Sequence, residues 1–149
     1  MNAFSSDILG KKVDVIKQRL QRLQKYRLIT VEDYQNDRDV QDIIERNLEI
    51  LIQAAVDINK SLLKRSSALS ASELKNLKNS ESFRRLAQTG LLSEPLANNL
   101  AGSGGFRNVL AHLYDEIIPE KVIEALQEAL QFYPDYLYEI QLYLDSLEK

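Results

Sequence analysis

The sequence predicts an all-α fold, an antiparallel helical bundle. Apolar residues recur at intervals of three and four along most of the 149 residues. Alternation of apolar and polar residues over strand lengths is absent. Glycine (5) and proline (3) are too scarce for a turn-rich β-sandwich. A composition of 44% hydrophobic and 28% charged residues suits a globular chain, and 149 residues suit one domain spanning 1–149.

The first helix is expected from about Ile8 to Leu28, where Ile8, Leu9, Val13, Ile16, Leu20 and Leu23 share a stripe. Ser6 or Asp7 would cap it. Thr30, with Asp33 three residues on, resembles a capping box and opens a long helix from about Val31 to Lys64. Its core stripe is Val40, Ile43, Ile44, Leu48, Leu51, Ile52, Ala55, Val56 and Leu62. Ser, Asn and Lys crowd the stretch from Ser66 to Ser82, which reads as a loop with a short helix near Glu73–Leu77. A helix from Glu81 to Gln88 should stop at Gly90. Ser93 caps a short helix that tolerates Pro95 in its first turn and ends at Gly102. Gly102, Ser103, Gly104 and Gly105 form a flexible break. Pro119 opens the last helix, which Pro134 should kink or interrupt.

Composition also excludes chemistries. Without cysteine there are no disulfides, thiolate zinc sites or cysteine nucleophiles, and a single histidine rules out a histidine-rich metal site. No metal or cofactor is expected. A net charge of −3 gives no global positive field. No apolar run is long enough for a membrane span, and the N-terminus does not read as a signal peptide. The expected location is therefore cytoplasmic.

One segment carries chemistry. Placed on a helix with Arg107 at zero, Asn108 falls near ~100°, His112 near ~140°, Ala111 near ~40° and Tyr114 near ~340°. Phe106, Val109, Leu110 and Leu113 occupy the opposite arc, between ~200° and ~300°. The apolar arc should bury itself and the polar arc face outward, around an alanine small enough for another surface to approach. By geometry alone this arc is also what any solvated amphipathic helix shows, and a lone histidine is more often structural than catalytic.

Arg107-Asn108-Val109-Leu110-Ala111-His112-Leu113-Tyr114 matches the pattern Arg-x4-His-x-Tyr. It resembles the signature of HEPN domains, in the form found in HepT-type toxins of bacterial toxin–antitoxin pairs. Residues Arg46 to Ile58 resemble the family's long second helix. Phe83-Arg84-Arg85-Leu86 with Gly90-Leu91-Leu92 resembles its middle segment, and Gly105-Phe106 resembles the lead-in to its motif. The resemblance runs from about Asp39 to the end. It implies a metal-independent endoribonuclease whose site forms where two protomers of a homodimer meet. It also implies a cognate nucleotidyltransferase (MntA-like) antitoxin that transfers AMP to the motif tyrosine, here Tyr114.

The chemistry suits these residues. RNA carries its own nucleophile, the 2′-hydroxyl, so an enzyme need only move protons and stabilise charge. His112 exchanges protons near neutral pH. Arg107 can grip phosphate oxygens with its planar fork. Asn108 can orient the imidazole or hold a phosphate oxygen. One histidine does not easily serve as acid and base together, and a two-fold dimer supplies a second. The products would be a 2′,3′-cyclic phosphate and a 5′-hydroxyl end. Tyr114 lies almost above Arg107, so an added AMP would occupy the phosphate site; the same tyrosine could instead simply border the core.

Other features are weaker. Arg46, Glu49, Gln53 and Asp57 lie within ~80° on the long helix. They read first as a salt-bridged edge, and second as a wall that backs the motif helix and tunes His112 or Arg107. Lys60, Lys64, Arg65, Lys75, Lys78, Arg84 and Arg85 could make an RNA-binding rim or a solvated surface. Tyr133, Tyr136, Tyr138 and Tyr143 read as packing rather than base stacking. The competing function is a non-catalytic module on the same bundle, binding a nucleotide, RNA or the nucleotidyltransferase.

Overall fold

A computed structural model describes residues 3–66, 69–111 and 117–147. Among the described residues seven helices follow in order: α1 Ala3–Gln24, α2 Val31–Gln35, α3 Arg38–Arg65, α4 Ala71–Lys75, α5 Asn79–Gln88, α6 Glu94–Ala111 and α7 Pro119–Ser146. The all-α expectation holds, with no strand among the described residues. Helix α3 is the axis of the bundle, touching all six others. Its length of 28 residues gives a span of ~42 Å. In its central turns Leu48, Leu51, Ile52, Ala55, Val56 and Ile58 are sealed from solvent, beside a polar stripe that runs through Glu49, Gln53 and Asp57. Helix α1 docks on α3 through Leu9, Val13 and Ile16, and also meets α7.

Several ends differ from expectation. Helix α1 begins at Ala3, so Ser6 and Asp7 lie inside its first turns rather than capping it, and it stops at Gln24. The long second helix is two helices. Thr30 does cap α2, its hydroxyl accepting from the Asp33 amide at 3.0 Å. The chain then breaks at Asn36, and Asp37 caps α3 afresh by accepting from the Val40 amide at 3.2 Å. The break is fastened by buried Tyr34, whose hydroxyl donates to Glu45, and by Gln41, whose amide donates to the Tyr34 carbonyl at 2.8 Å. Ile43 of the expected stripe is 39% exposed. Helix α4 carries a complete capping box between Ser70 and Glu73. Helix α5 ends as expected: Gly90 takes φ +81°, and the amides of Gly90 and Leu91 bond back to the carbonyls of Ala87 and Leu86. Pro134 does not interrupt α7. It sits on the exposed side, while Tyr133, Tyr136 and Leu137 beside it are buried and hold the helix to the bundle.

The largest departure concerns the glycines. No break occurs at Gly102–Gly105, and α6 runs unbroken from Glu94 to Ala111. Packing supplies the reason. A Cβ on Gly104 would lie 2.7 Å from the Asn79 carbonyl carbon and 2.7 Å from the Ser80 nitrogen, both backbone atoms of α5. The missing side chain lets the two helices close on each other. Ser103 adds a half-buried bond, its hydroxyl 2.7 Å from Tyr133 Oη on α7. Gly102 and Gly105 face open space. Gly104→Ala should therefore destabilise the protein by about 1–3 kcal/mol of overpacking, against which the gain in helix propensity is about 1 kcal/mol. Gly102→Ala and Gly105→Ala meet nothing and should stabilise it by up to about 1 kcal/mol each. Urea denaturation of the three variants checks the contrast.

Candidate active site

The continuity of α6 decides where the motif residues point. Its first half buries Leu96, Ala97, Leu100 and Ala101 against the bundle. Carried forward at ~100° per residue, that same face passes through Gly104 and reaches Arg107, Asn108 and Ala111. Val109 falls on the opposite side and is 49% exposed, which corrects the expected burial of the whole apolar arc. Leu110 is buried and Phe106 packs partly against the core, as expected. His112, Leu113 and Tyr114 lie outside the described residues.

Arg107 is thus turned inward, not outward. Its side chain helps to line a cleft of about 320 Å³ between α6, α3 and α1. Helix α3 contributes Arg46, Glu49, Ile50, Gln53, Ala54 and Asp57, and α1 contributes Lys12 and Val15. The first reading of the polar stripe, a paired edge, holds, and the stripe also stands beside the motif helix. Arg46 donates to Glu49 at 2.8 Å and Gln53 donates to Asp57 at 2.8 Å, so the stripe is internally paired. The same four residues also form the wall facing Arg107.

Lys12 was not singled out from the sequence. Its Nζ lies 3.2 Å from Asp57 Oδ2, across 45 residues of chain, and ties α1 to the cleft. Nothing in the spacing of α1 marks this lysine out from Lys11 beside it. Higher on the same two helices, Arg19 donates to Asn47 at 3.1 Å. Burial, with Arg22 and Arg46 nearby, holds the Arg19 guanidinium below its usual range.

The charges of the cleft can be counted. Lys12, Arg46 and Arg107 are cationic, while Glu49 and Asp57 are anionic. Glu49 is engaged by Arg46, and Asp57 by Lys12 and Gln53. Among the described residues Arg107 forms no salt bridge, and its buried Nε has no hydrogen-bond partner. The local balance leaves one positive charge, carried by a side chain whose planar fork fits a phosphate or carboxylate. Asn108 is exposed, and its Oδ1 accepts from Asn79 Nδ2 at 3.3 Å.

The other candidates fall as follows. Tyr133 and Tyr136 are fully buried and stack edge-to-face with Phe83, which makes them packing residues, while Tyr138 is 66% exposed. Within the basic middle third, Arg84 pairs with Glu81 at 2.9 Å. No group of three or more His, Asp or Glu among the described residues is placed to hold a metal ion. No described helix is long and apolar enough to cross a membrane.

Comparison with known proteins agrees with this fold. Residues 16–140 match the model of the family described as Ribonuclease HepT-like. A protein of Aphanizomenon flos-aquae named tRNA nuclease HepT is 38% identical over 145 residues, covering 95% of this chain and 93% of its own. A Shewanella oneidensis protein named mRNA nuclease HepT is 27% identical over 132 residues, covering 89% of this chain and 95% of its own. Among solved structures, a tri-AMPylated Shewanella oneidensis HEPN toxin in complex with MNT antitoxin superposes with a TM-score of 0.77 at 26% identity, over 95% of this chain and 99% of that one. A toxin–antitoxin crystal structure with AMP-PNP gives 0.78 at 25% identity, over 91% and 98%.

Proposed function

The chain belongs to the Ribonuclease HepT-like family, and from that membership we propose that it is the toxin of a toxin–antitoxin pair, an endoribonuclease that cleaves RNA through the substrate's own 2′-hydroxyl without a metal ion. The whole chain, 1–149, acts as one HEPN-like domain. The observation that carries the reading is Arg107, set in a cleft whose two carboxylates are already engaged by other partners. A cation so placed is available to the phosphate at the scissile bond.

Arg107 steadies the negative charge that builds on phosphorus as the 2′-oxygen attacks. His112, five residues further along, moves the protons. Asn108 supplies a hydrogen bond to the phosphate. Two protomers related by a two-fold axis near Ala111 bring two sets of these residues together, so that one histidine takes the 2′-hydroxyl proton while the other serves the leaving 5′-oxygen. Ala111→Arg should weaken association through a clash and like-charge repulsion across the axis. Sedimentation of wild type and variant at micromolar concentration checks this, and a monomer that still cleaves RNA would contradict the shared site.

Two relatives are named nucleases of different RNAs, and a structural neighbour is an AMPylated toxin bound to an MNT antitoxin. These support a nucleotidyltransferase partner for this chain, with Tyr114 as the AMP acceptor. The direct test is incubation of the purified, unmodified chain with RNA under a metal chelator, beside a His112→Ala control. Fragments ending in 2′,3′-cyclic phosphate and beginning in 5′-hydroxyl are expected. Loss of cleavage on chelation would overturn the metal-independent route. Binding of RNA without any product would point instead to a non-catalytic module.

A further inference from the structure

Beyond the motif, a chain of hydrogen bonds runs from the middle of the bundle to Asn108. It starts at Tyr136 on α7, whose buried hydroxyl lies 2.6 Å from Asn59 Oδ1 and 3.1 Å from the Ala55 carbonyl. Asn59 on α3, itself sealed from solvent, donates through Nδ2 to Ser82 Oγ at 3.0 Å. With its lone pair so engaged, buried Ser82 donates its hydroxyl proton to the Asn79 carbonyl at 2.7 Å. The side chain of Asn79 then donates to Asn108 Oδ1 at 3.3 Å.

Asn79 is also where α6 presses on α5. Its carbonyl carbon is among the atoms a Cβ on Gly104 would strike. Gly104 and Asn108 are four residues apart, one helical turn, and so share a face. The close approach at Gly104 brings the next turn of α6 within reach of the Asn79 amide. A residue whose backbone is anchored from within the bundle and whose side chain reaches one polar motif residue is more than a helix start. Asn79 is at the first position of α5, where its own N–H has no intrahelical acceptor, and α5 has no side-chain cap.

We propose that Asn79 is a positioning residue for the Arg107–Asn108 site: by holding the Asn108 oxygen it turns the two N–H donors of Asn108 toward a phosphate oxygen of the RNA chain. This rests on the ribonuclease reading above. Without the tether the Asn108 amide is equally free to present its oxygen, which repels phosphate. The relay through Ser82, Asn59 and Tyr136 keeps the tether still by fixing the backbone that bears it.

Asn79→Asp tests the proposal in the full-length protein. The carboxylate accepts but does not donate, so Asn108 must reverse to meet it. An acidic residue in the first turn of a helix favours that helix, so folding is preserved. Two readouts are used, neither needing catalysis. The side-chain amide signals of Asn108, followed by NMR without RNA, are expected to shift in Asn79→Asp. Affinity for a 2′-O-methylated RNA, which cannot be cut, is expected to fall about 10-fold, the scale of one hydrogen bond to a charged group. In an Asn108→Ala background the same substitution should change that affinity by less than about 2-fold, because the coupled partner is gone. An equal loss in both backgrounds would show only repulsion by the new carboxylate and would overturn the proposal, as would unmoved Asn108 signals. Wild-type protein that binds no RNA would overturn the ribonuclease reading, while the amide spectrum would still decide whether Asn79 orients Asn108.

Discussion

His112→Ala is expected to lower RNA cleavage by about 10²–10⁴-fold, and Arg107→Ala by about 10²–10³-fold, with the helical circular dichroism spectrum unchanged. The two losses have different causes. His112 is the one side chain in the sequence whose ordinary titration lies near neutral pH, so no neighbour can take over its proton transfers. Arg107 supplies charge rather than protons, and its neighbours in the cleft are committed. Lys12 is held by Asp57 and Arg46 by Glu49, so neither replaces it without breaking a pair. Arg107→Lys should recover little, because an ammonium lacks the planar fork that grips two oxygens. Single-turnover rates on one defined RNA, measured for wild type and the three variants, provide the comparison. Cleavage by His112→Ala at the wild-type rate would remove the nuclease assignment.

Treatment with a nucleotidyltransferase antitoxin, ATP and magnesium is expected to add one or more AMP groups to Tyr114 and to abolish cleavage. A phenol is a weak nucleophile near neutral pH, so the partner must activate it. The first transfer forms a bond from the tyrosine oxygen to the α-phosphorus of ATP and releases pyrophosphate, and any later transfer joins a ribose hydroxyl of the AMP already attached to the α-phosphorus of another ATP, again releasing pyrophosphate. The phosphodiester so formed bears a negative charge, and Tyr114 is seven residues from Arg107 in the sequence. The added phosphate would pair with Arg107, which has no carboxylate partner among the described residues, and the adenosine would fill the space RNA needs. Intact mass should rise in steps of AMP on wild type and stay constant on Tyr114→Phe. Equal increases on both proteins would place the acceptor elsewhere.

How far the sequence reveals this molecule depends on which forces set each feature. The helices of α1, α3 and α7 were legible because burial imposes a period that composition displays. The stop at Gly90 was legible because a left-handed residue there favours glycine. Gly102, Gly104 and Gly105 misled because propensity is local while the force that holds α6 together is not. Gly104 answers to the backbone of Asn79, twenty-five residues away in sequence, and only the fold displays that. The same error of register turned Val109 inward and Arg107 outward on paper. The separation at Asn36 was hidden because neither glycine nor proline stands between Val31 and Val40 to mark it. Within the site, the motif was plain from its residue types, and the paired stripe on α3 from its spacing. Lys12 and Asn79 left no trace, since each matters through a contact made between elements.

The glycines of α6 also bear on the order in which the fold is completed during synthesis. Three glycines in four residues cost an isolated helix about 3 kcal/mol relative to alanine, so this segment does not hold a helix alone. Docking on α5 and α3, and the bond from Ser103 to Tyr133 of α7, supply what the local sequence lacks. Tyr133 is translated thirty residues after Ser103, so a ribosome must deliver about half of α7 before that bond exists. Until then α6 rests on α5 and α3 alone, and the turn before Arg107 lacks its tie to the last helix. The stretch of α6 weakest in its own right is thus fastened last, as α7 closes on the bundle.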